Sequence, residues 1–543
     1  MMKRSDNFKL RLISDAISLP YPADPAEACE IAKKRIRHAV GLGSSQTRCS
    51  IYRQSVDARR KDDIRFVYTV LAELPEISSS DVDRLLKGGF RIDDSGEIVY
   101  EFGNEKSAFR PIVVGCGPAG MFAALMLAEQ GYRPILIDRG EKLKNRIATV
   151  SAFFNGGELN TESNVMFGAG GAGTFSDGKL VTRINDPLCR YVIDRLCDFG
   201  APAEIAYKAK PHVGTDLLQN VVSQLLDKVC ECGGEVIYNC RLDSIIENSD
   251  GSVTAKTSLG DICGSCVILA IGHSARDTYS YLNSEGYNLI AKPFSVGVRI
   301  EHLRTDIEQG LYGAHAGDPL LGAAEYALSD TKSGRGVYTF CMCPGGQVIA
   351  ASSERGGLVV NGMSHHARSG RNSNSAVAVS IRPDDYDGTA MGAIEYQRQL
   401  EIKAFELGGR NYSAPIELLG DFMLDKKENL KSPDRIQPTY TRCGVTVADV
   451  SQVFPSYVND ELRRGFASFG KKLPGFDAYD AVITAVESRT SAPIRILRDQ
   501  NGVAFGRNAV YPCGEGAGYA GGITSAAVDG IKTALAVIKR FSP

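Results

Sequence analysis

The chain has no uninterrupted apolar stretch of the roughly 18 residues that a membrane-crossing helix needs. It also has almost no net charge, −2 from 62 Lys and Arg against 64 Asp and Glu. No global field therefore draws the whole molecule onto nucleic acid or an anionic membrane, and any anion binding must be local. Residues 1–10 mix Lys3, Arg4, Asp6 and Lys9 with no apolar segment behind them and do not read as a secretory signal. The 14 cysteines fall far below the density of a disulfide scaffold and are scattered through apolar segments, so most are expected to be reduced core residues. Cys230, Cys232 and Cys240 lie near one another, but no histidine stands at ligand spacing to them, and no metal is expected. These absences leave a cytoplasmic enzyme as the expectation.

Glycine, by contrast, is abundant: 57 residues, many in clusters where backbone must come close to something. Single cores rarely exceed about 250–300 residues, so 543 residues that are 43% apolar predict two or three domains. Residues 1–104 read as a small α+β unit, with strands over 10–13, 49–55 and 63–74, a helix over 24–40, and a polar stretch over 93–106 as its end. A second domain begins at 105 and runs to about 290; it opens on a βαβ unit over 111–138, with helices over 121–130 and 215–231 and strands over 134–138 and 235–246. Segment 291–478 mixes strands (295–300, 336–343, 348–352, 376–381) with helices (391–407, 458–469) and reads as an inserted domain. Residues 479–543 return to the first domain with a strand over 508–513 and a helix over 522–539.

The run Pro111-Ile-Val-Val-Gly115-Cys-Gly117-Pro118-Ala119-Gly120 is a Gly-x-Gly-x-x-Gly turn. It follows an apolar strand, opens a helix, and is followed by a second strand ending in Asp138-Arg139. In that context Gly115 permits the tight turn, Gly117 lets backbone approach a pyrophosphate, and Gly120 lets helix pack on strand. The helix N-terminus adds unsatisfied N–H groups, and Asp138 can accept from an adenosine ribose. Cys116, inside the turn, reads as a small space-filling residue. The fingerprint by itself leaves NAD and FAD open.

The far end of the chain separates them. Gly514-Glu515-Gly516-Ala-Gly518, followed by Gly521-Gly522-Ile523, resembles the closing motif of glutathione-reductase-type flavoproteins, in which a final strand passes to a helix facing the flavin pyrimidine. A helix N-terminus there stabilises the negative charge that develops on flavin reduction. This chain carries Glu515 where that group usually has Asp, which retains the carboxylate and adds a methylene. The buried run 267–271 closed by Gly272, with Ser274 and Arg276 behind it, resembles the strand that leads out of the FAD domain. Leu242 joins the expected cofactor contacts. A third cluster, Gly168-Ala-Gly170-Gly171-Ala-Gly173-Thr174-Phe-Ser176-Asp-Gly-Lys179-Leu, suits backbone passing beside a ring and a pyrophosphate, or else a flexible lid.

Together with the stretches 294–302, 361–368 and 487–495, these segments make the chain resemble a bacterial family of FAD-dependent dehydrogenases without an assigned substrate. The resemblance spans nearly all the chain. It implies an α/β fold: a Rossmann-like FAD-binding domain, an inserted α+β substrate domain and a small N-terminal α+β domain. The expected reaction is hydride transfer between flavin and a small organic substrate, with NAD(P)H as a possible transient electron donor.

Groups for the chemistry are harder to read. Tyr338, Cys341 and Cys343 share one strand, whose period places both thiols on one face. They are either a redox pair or structural thiols, a regular strand being a poor frame for a disulfide. Cys263 and Cys266 have thioredoxin-like spacing but precede no helix and read as structural. His365 and His366, with Arg368 and Arg371, lie in a Gly/Ser/Asn-rich loop, and an imidazole there could act as general acid or base. Arg489 and Arg495 could hold a substrate carboxylate, with Glu487 as a partner for one of them. Between Ile31 and Arg65 ten basic residues face three acidic ones, with Tyr52 among them. That is a docking face or solvated patch, or an RNA-binding one, the latter being the alternative function. A flavin-binding redox sensor built on Cys341 and Cys343 is another.

Overall fold

The computed structural model describes residues 8–93, 98–442 and 444–543. The leader reading of residues 1–7 and part of the polar boundary, residues 94–97, lie outside them. Three sheets organise the chain.

The first is a five-stranded antiparallel sheet of Leu10–Ser14, Ile17–Pro20, Arg48–Asp57, Arg65–Leu74 and Phe90–Ile92. The helix Pro25–Val40 covers it because its ends are written locally. Asp24 caps it by accepting from the Ala26 N–H at 2.8 Å, Pro25 opens it, and Gly41 ends it with φ +77°. Ala28, Ala32 and Ile36 recur every four residues and form its buried stripe. Ile17, Leu19, Phe66 and Tyr68 of this sheet share one apolar cluster with Val296, Val298 and Val377 of the third sheet, so the N-terminal unit is docked there. Within its basic stretch Tyr52 carries the Arg190 guanidinium over its ring at 5.6 Å, and Gln54 N–H donates to the Tyr207 carbonyl at 2.7 Å.

The second sheet is parallel throughout, in the order Val510–Pro512, Val267–Leu269, Ile112–Val114, Ile135–Ile137, Glu235–Ile237. Its four apolar strands are buried at every residue and show no polar alternation, as expected for a sheet covered on both faces. Helices Pro118–Glu129 and Thr215–Glu231 pack on it, and Ile523–Arg540 packs along the first of them. Phe122, Leu125, Met126 and Leu127 of the first helix are essentially inaccessible, each contributing about 1.5–3 kcal/mol by burial. Because the strands are parallel and in register, their C-terminal ends lie at one edge. Gly115, Asp138, Gly272 and Gly514 therefore gather in the crevice where open α/β sheets bind ligands. The chain is a mixed α/β protein whose parallel sheet has a Rossmann-like arrangement. The stretch 102–109 lies along the last helix, Gly103 N–H donating to the Ile538 carbonyl at 2.9 Å.

The third sheet has seven strands in the order Ser329–Asp330, Val337–Cys343, Asn372–Ile381, Phe294–Leu303, Val482–Glu487, Ala414–Leu418, Val445–Val447, with only the last pair parallel. Helices Ala390–Leu407 and Ser456–Lys472 pack against it. The strand expected over 336–343 is not regular. Phe340 pairs Ala376 but Cys343 pairs Asn374, so one extra residue bulges out, and Cys341 takes φ +44°.

Among the described residues no helix is long and apolar enough to cross a membrane. No group of three or more His, Cys, Asp or Glu among them is placed to hold a metal ion.

Candidate functional site

The glycine turn is built by contacts that exclude side chains. Gly115 has φ +103°, and its N–H donates to the Ile137 carbonyl at 2.8 Å. A Cβ on Gly120 would collide with the Gly115 carbonyl oxygen, so helix and turn meet backbone to backbone. Gly117 precedes Pro118 at the start of the helix with no side-chain cap, leaving the first N–H groups of the helix available. Asp138, buried at the next strand end, accepts from Cys116 N–H at 2.7 Å and from Gly140 N–H at 2.8 Å. Its carboxylate therefore braces the turn and keeps acceptor capacity for a sugar hydroxyl. Cys116 is fully buried, and burial pushes its thiol pKa up, which leaves an inert space-filler. Arg139 is held by Glu162 at 2.8 Å and by Asp277, and lies over the Phe167 ring at 4.6 Å.

The glycine-rich segment closes over this turn. A Cβ on Gly171 would stand 2.8 Å from Gly117 Cα, and one on Gly173 would stand 3.2 Å from Ile523 Cγ1. The segment thus runs from the turn to the start of the C-terminal helix. Arg146, fully buried, holds it by donating to the carbonyls of Asn164 at 2.9 Å, Val165 at 2.9 Å and Ala169 at 2.6 Å. Thr174 is buried with its hydroxyl on the Ala169 carbonyl, and Ser176 bonds the Gly173 carbonyl at 2.7 Å. Lys179 pairs with Asp177 at 2.7 Å. Burial works against the Asp177 carboxylate, but Lys179 and Arg368 outweigh it and hold its pKa down at about 2.

The C-terminal segment supplies the other side. A Cβ on Gly514 would stand 2.6 Å from Ala119 Cβ, and one on Gly516 would stand 2.7 Å from Gly272 N, so strand ends and turn are in mutual contact. Gly522 has φ +102°, no side-chain cap follows it, and a Cβ there, as at Gly272 and Gly521, would meet nothing within 4 Å. Glu515 is half-buried. Desolvation pushes its pKa up to about 7 against the opposing effects of the Gly522 N–H and Lys292. Leu242 is buried at the start of the strand Leu242–Glu247, within the core of the parallel sheet.

Two uncapped helix N-termini, glycine backbone between them and open space beside Gly272, Gly521 and Gly522 fit a dinucleotide carrying a ring. Gly115, Gly117, Pro118, Ala119 and Gly120 would take the pyrophosphate, Asp138 the ribose, Glu515 the ribityl chain, and Gly522 and Ile523 the pyrimidine end.

Of the groups singled out for chemistry, the structure gathers some and disperses others. Tyr338 donates to Ser295 Oγ at 2.6 Å, and burial raises its pKa. Cys341 and Cys343 lie at the far end of the glycine-rich segment, Lys179 Nζ standing 3.7 Å from Cys343 Sγ. His365 is largely exposed, 3.8 Å from Asp216. His366 stacks on His212 with ring centroids 5.2 Å apart, and Arg368 is bonded to Asp177 and Glu325. Arg371 donates to the Arg435 carbonyl at 2.7 Å.

Arg489 is 6% exposed and fully engaged: Nε and Nη2 grip Glu401 at 3.0 and 2.8 Å, while Nη1 reaches Ser274 and Ser353. Glu401 is also gripped by Arg276 at 2.8 Å. This geometry braces three segments against one another, and it does so through Ser274, beside Gly272. Glu487 pairs with Arg299 at 2.8 Å rather than with Arg489 or Arg495, because it lies on the strand next to the one that carries Arg299. Arg495 instead donates to the Gly518 carbonyl.

Sequence reasoning missed Arg146, Asp177, Lys292 and His273, the last of which follows Gly272 and shares a hydrogen bond of 2.9 Å with Ser274 Oγ. Asp177 stood inside the glycine cluster and was a legible signal. The other three carry no local pattern that marks them.

A family described as "FAD-dependent protein, C-terminal domain-like" matches residues 293–490. A protein of Clostridium beijerinckii (strain ATCC 51743 / NCIMB 8052), named "Uncharacterized protein", is 45% identical over 521 residues, covering 94% of this chain and 96% of its own. Among solved structures, the halogenase PltM in complex with phloroglucinol and FAD is 12% identical, with 80% of this chain and 68% of that one covered at a TM-score of 0.36. The amino acid oxidase NikD in its open form is 11% identical, with 79% and 94% covered at a TM-score of 0.32.

Proposed function

Because the chain belongs to the family of FAD-dependent proteins that shares its 293–490 domain and extends, nearly end to end, to the Clostridium beijerinckii protein, we propose that it is an FAD-dependent oxidoreductase. In this reading it exchanges a hydride between flavin and a small organic substrate. The observation that carries the reading is the convergence of two uncapped helix N-termini, after Gly117 and after Gly522, on one glycine-lined crevice. When bound, FAD supplies a two-electron centre whose reduction places negative charge at the pyrimidine end. The chain's own residues do the rest. The N–H groups of Ala119 and Gly120, in the first turn of the helix, bind the pyrophosphate, and Asp138 orients the ribose while holding the turn. The N-terminus of Ile523–Arg540 favours the charge that develops on reduction. Glu515, with its pKa near neutrality, can hold or release a proton beside Gly522.

The third sheet brings Tyr338 and Cys341, both half-buried, as groups for the substrate side, and His365 as an exposed candidate from the loop. Arg489 serves as a positioning residue through Ser274. The full-length protein, purified and dialysed, is expected to be yellow, or to regain flavin absorbance on adding FAD. Failure to bind added FAD at micromolar concentration would remove the proposal. Anaerobic mixing with NADH, NADPH and other reductants, followed by flavin bleaching, identifies the electron donor.

A further inference from the structure

Cys341 and Cys343 sit in a backbone that ordinary packing does not require. A regular strand would separate two same-face thiols too far for a bond. Here the bulge between Phe340 and Cys343, with φ +44° at Cys341, breaks that regular spacing. A positive φ at a residue other than glycine is uncommon and concentrates at functional positions. The Cys343 thiol donates to the Cys341 carbonyl at 3.3 Å, which folds its side chain back onto its neighbour in the bulge. Arg299, wholly buried, fixes the same carbonyl at 2.9 Å while its other donors hold Glu487, Asn361 and Asn374. Cys343 is buried and Cys341 half-buried.

The pair is also joined to the proposed flavin site. Lys179 lies 3.7 Å from Cys343 Sγ. The next residue, Leu180, accepts from Thr524 Oγ1 at 2.8 Å, in the first turn of the C-terminal helix. The glycine-rich segment that ends at Lys179 begins against Gly117. One continuous stretch of chain therefore touches the turn, the start of the C-terminal helix and the thiols.

We propose that Cys341 and Cys343 are a second redox centre, a dithiol that is oxidised to an intrachain disulfide with the bound flavin as its two-electron acceptor. The inference rests on the FAD reading given above. Oxidation breaks two S–H bonds and forms one Sγ–Sγ bond, releasing two electrons and two protons. When FAD is bound, the flavin would take up the electron pair and one proton, and the second proton would be lost to solvent. The neighbouring Cys343 thiol lowers the Cys341 pKa well below the ordinary thiol value. Burial opposes this, and Lys179 and Arg299 add to it. A thiolate at Cys341 is the form that exchange chemistry requires.

Both thiols fall in one tryptic peptide, residues 336–355, which contains no other cysteine. The full-length FAD-loaded protein is equilibrated anaerobically in glutathione buffers of graded ratio, quenched in acid, alkylated and digested. The peptide is expected to pass from the doubly alkylated to the unalkylated disulfide form in one transition, while Cys343→Ser never gives the disulfide form. Reductive titration of the oxidised protein is expected to consume about four electrons per flavin, against about two for Cys343→Ser. Circular dichroism on the variant confirms that it is folded. A peptide alkylated twice at every ratio overturns the couple. Equal electron counts in wild type and variant overturn the link to flavin. A disulfide transition in a protein that binds no FAD overturns the flavin reading and the acceptor role while leaving the couple intact.

Discussion

The backbones of Gly117 and Gly171 meet with no side chain between them: a Cβ on Gly171 would stand 2.8 Å from Gly117 Cα, and one on Gly117 would stand 3.8 Å from Gly171 Cα. The turn that would hold a pyrophosphate is thus closed from above by a segment more than fifty residues away in sequence.

Two alanine substitutions in this turn should separate binding from folding. Gly117→Ala meets only ordinary van der Waals contact in the protein but intrudes where a pyrophosphate would approach. It should fold normally and lose FAD affinity at least tenfold, roughly 1.4 kcal/mol or more. Gly120→Ala collides with the Gly115 carbonyl and should cost about 1–3 kcal/mol of stability. Thermal melts of both apoproteins, beside FAD titrations, check the contrast. Equal melting temperatures would refute it.

Glu401 lies between Arg276 and Arg489, each of which grips both of its oxygens, and all three are buried. Burial alone would raise the Glu401 pKa, but the two guanidinium groups outweigh it and hold it far below the usual range. Glu401→Gln leaves two buried cations short of a counter-charge and should destabilise the fold by about 3–5 kcal/mol. In the wild type this contribution is present above pH 4.5, the ordinary Glu value, and is lost progressively as acid titrates the group. Denaturant melts at pH 7 measure the loss. A variant within 1 kcal/mol of wild type would show that the bridge contributes little.

Glu515 titrates in the opposite sense. Desolvation raises its pKa from 4.5 to about 7, so the folded state holds its proton more tightly than the unfolded chain does. The resulting stabilisation is complete below pH 4.5 and is lost as pH rises through 7. Discounted for its half-buried position, the effect is on the order of 1–2 kcal/mol. In the apoprotein, the stability difference between wild type and Glu515→Gln should change across pH 5–8. A flat difference would count against the shift.

Three histidines work against stability in acid. Burial lowers the pKa of His302 from 6.5 to about 4, of His212 to about 4 and of His273 to about 3. The unfolded chain then binds protons that the folded one rejects, so stability falls as pH drops below 6.5 towards 4. His302, 1% exposed with its Nε2 facing the Phe476 carbonyl at 2.7 Å, should contribute about 2–3 kcal/mol to that fall. Replacing it with Gln should flatten the melting temperature between pH 6.5 and 4.5, and an unchanged slope would exclude it.

Much of the frame was legible because its signals are local. The helix Thr215–Glu231 has the bounds that its apolar period predicts, and the helices Pro118–Glu129 and Ala390–Leu407 differ from expectation by only a few residues. Helices Leu143–Phe154 and Leu188–Asp198 were not anticipated; the first has no side-chain cap to announce its start, whereas the second follows Asp186-Pro187, with the Asp186 carboxylate accepting from Leu188 N–H at 3.0 Å, a local signal that was passed over. The bulge at Cys341 was illegible for another reason. It depends on how Val337–Cys343 pairs with Asn372–Ile381, not on the residues of one strand.

The sequence by itself determined the βαβ turn, the glycine-rich segment and the closing helix. A tight turn, a helix start and a buried parallel strand each require particular residues at fixed short spacings. Only the tertiary structure decided which charges remain available. Arg489 meets Glu401 across 88 residues and Lys179 meets Cys343 across 164, and no local pattern encodes such pairings. They follow from how the parallel sheet and the seven-stranded sheet pack. In a low-dielectric interior each buried charge must then find its partner.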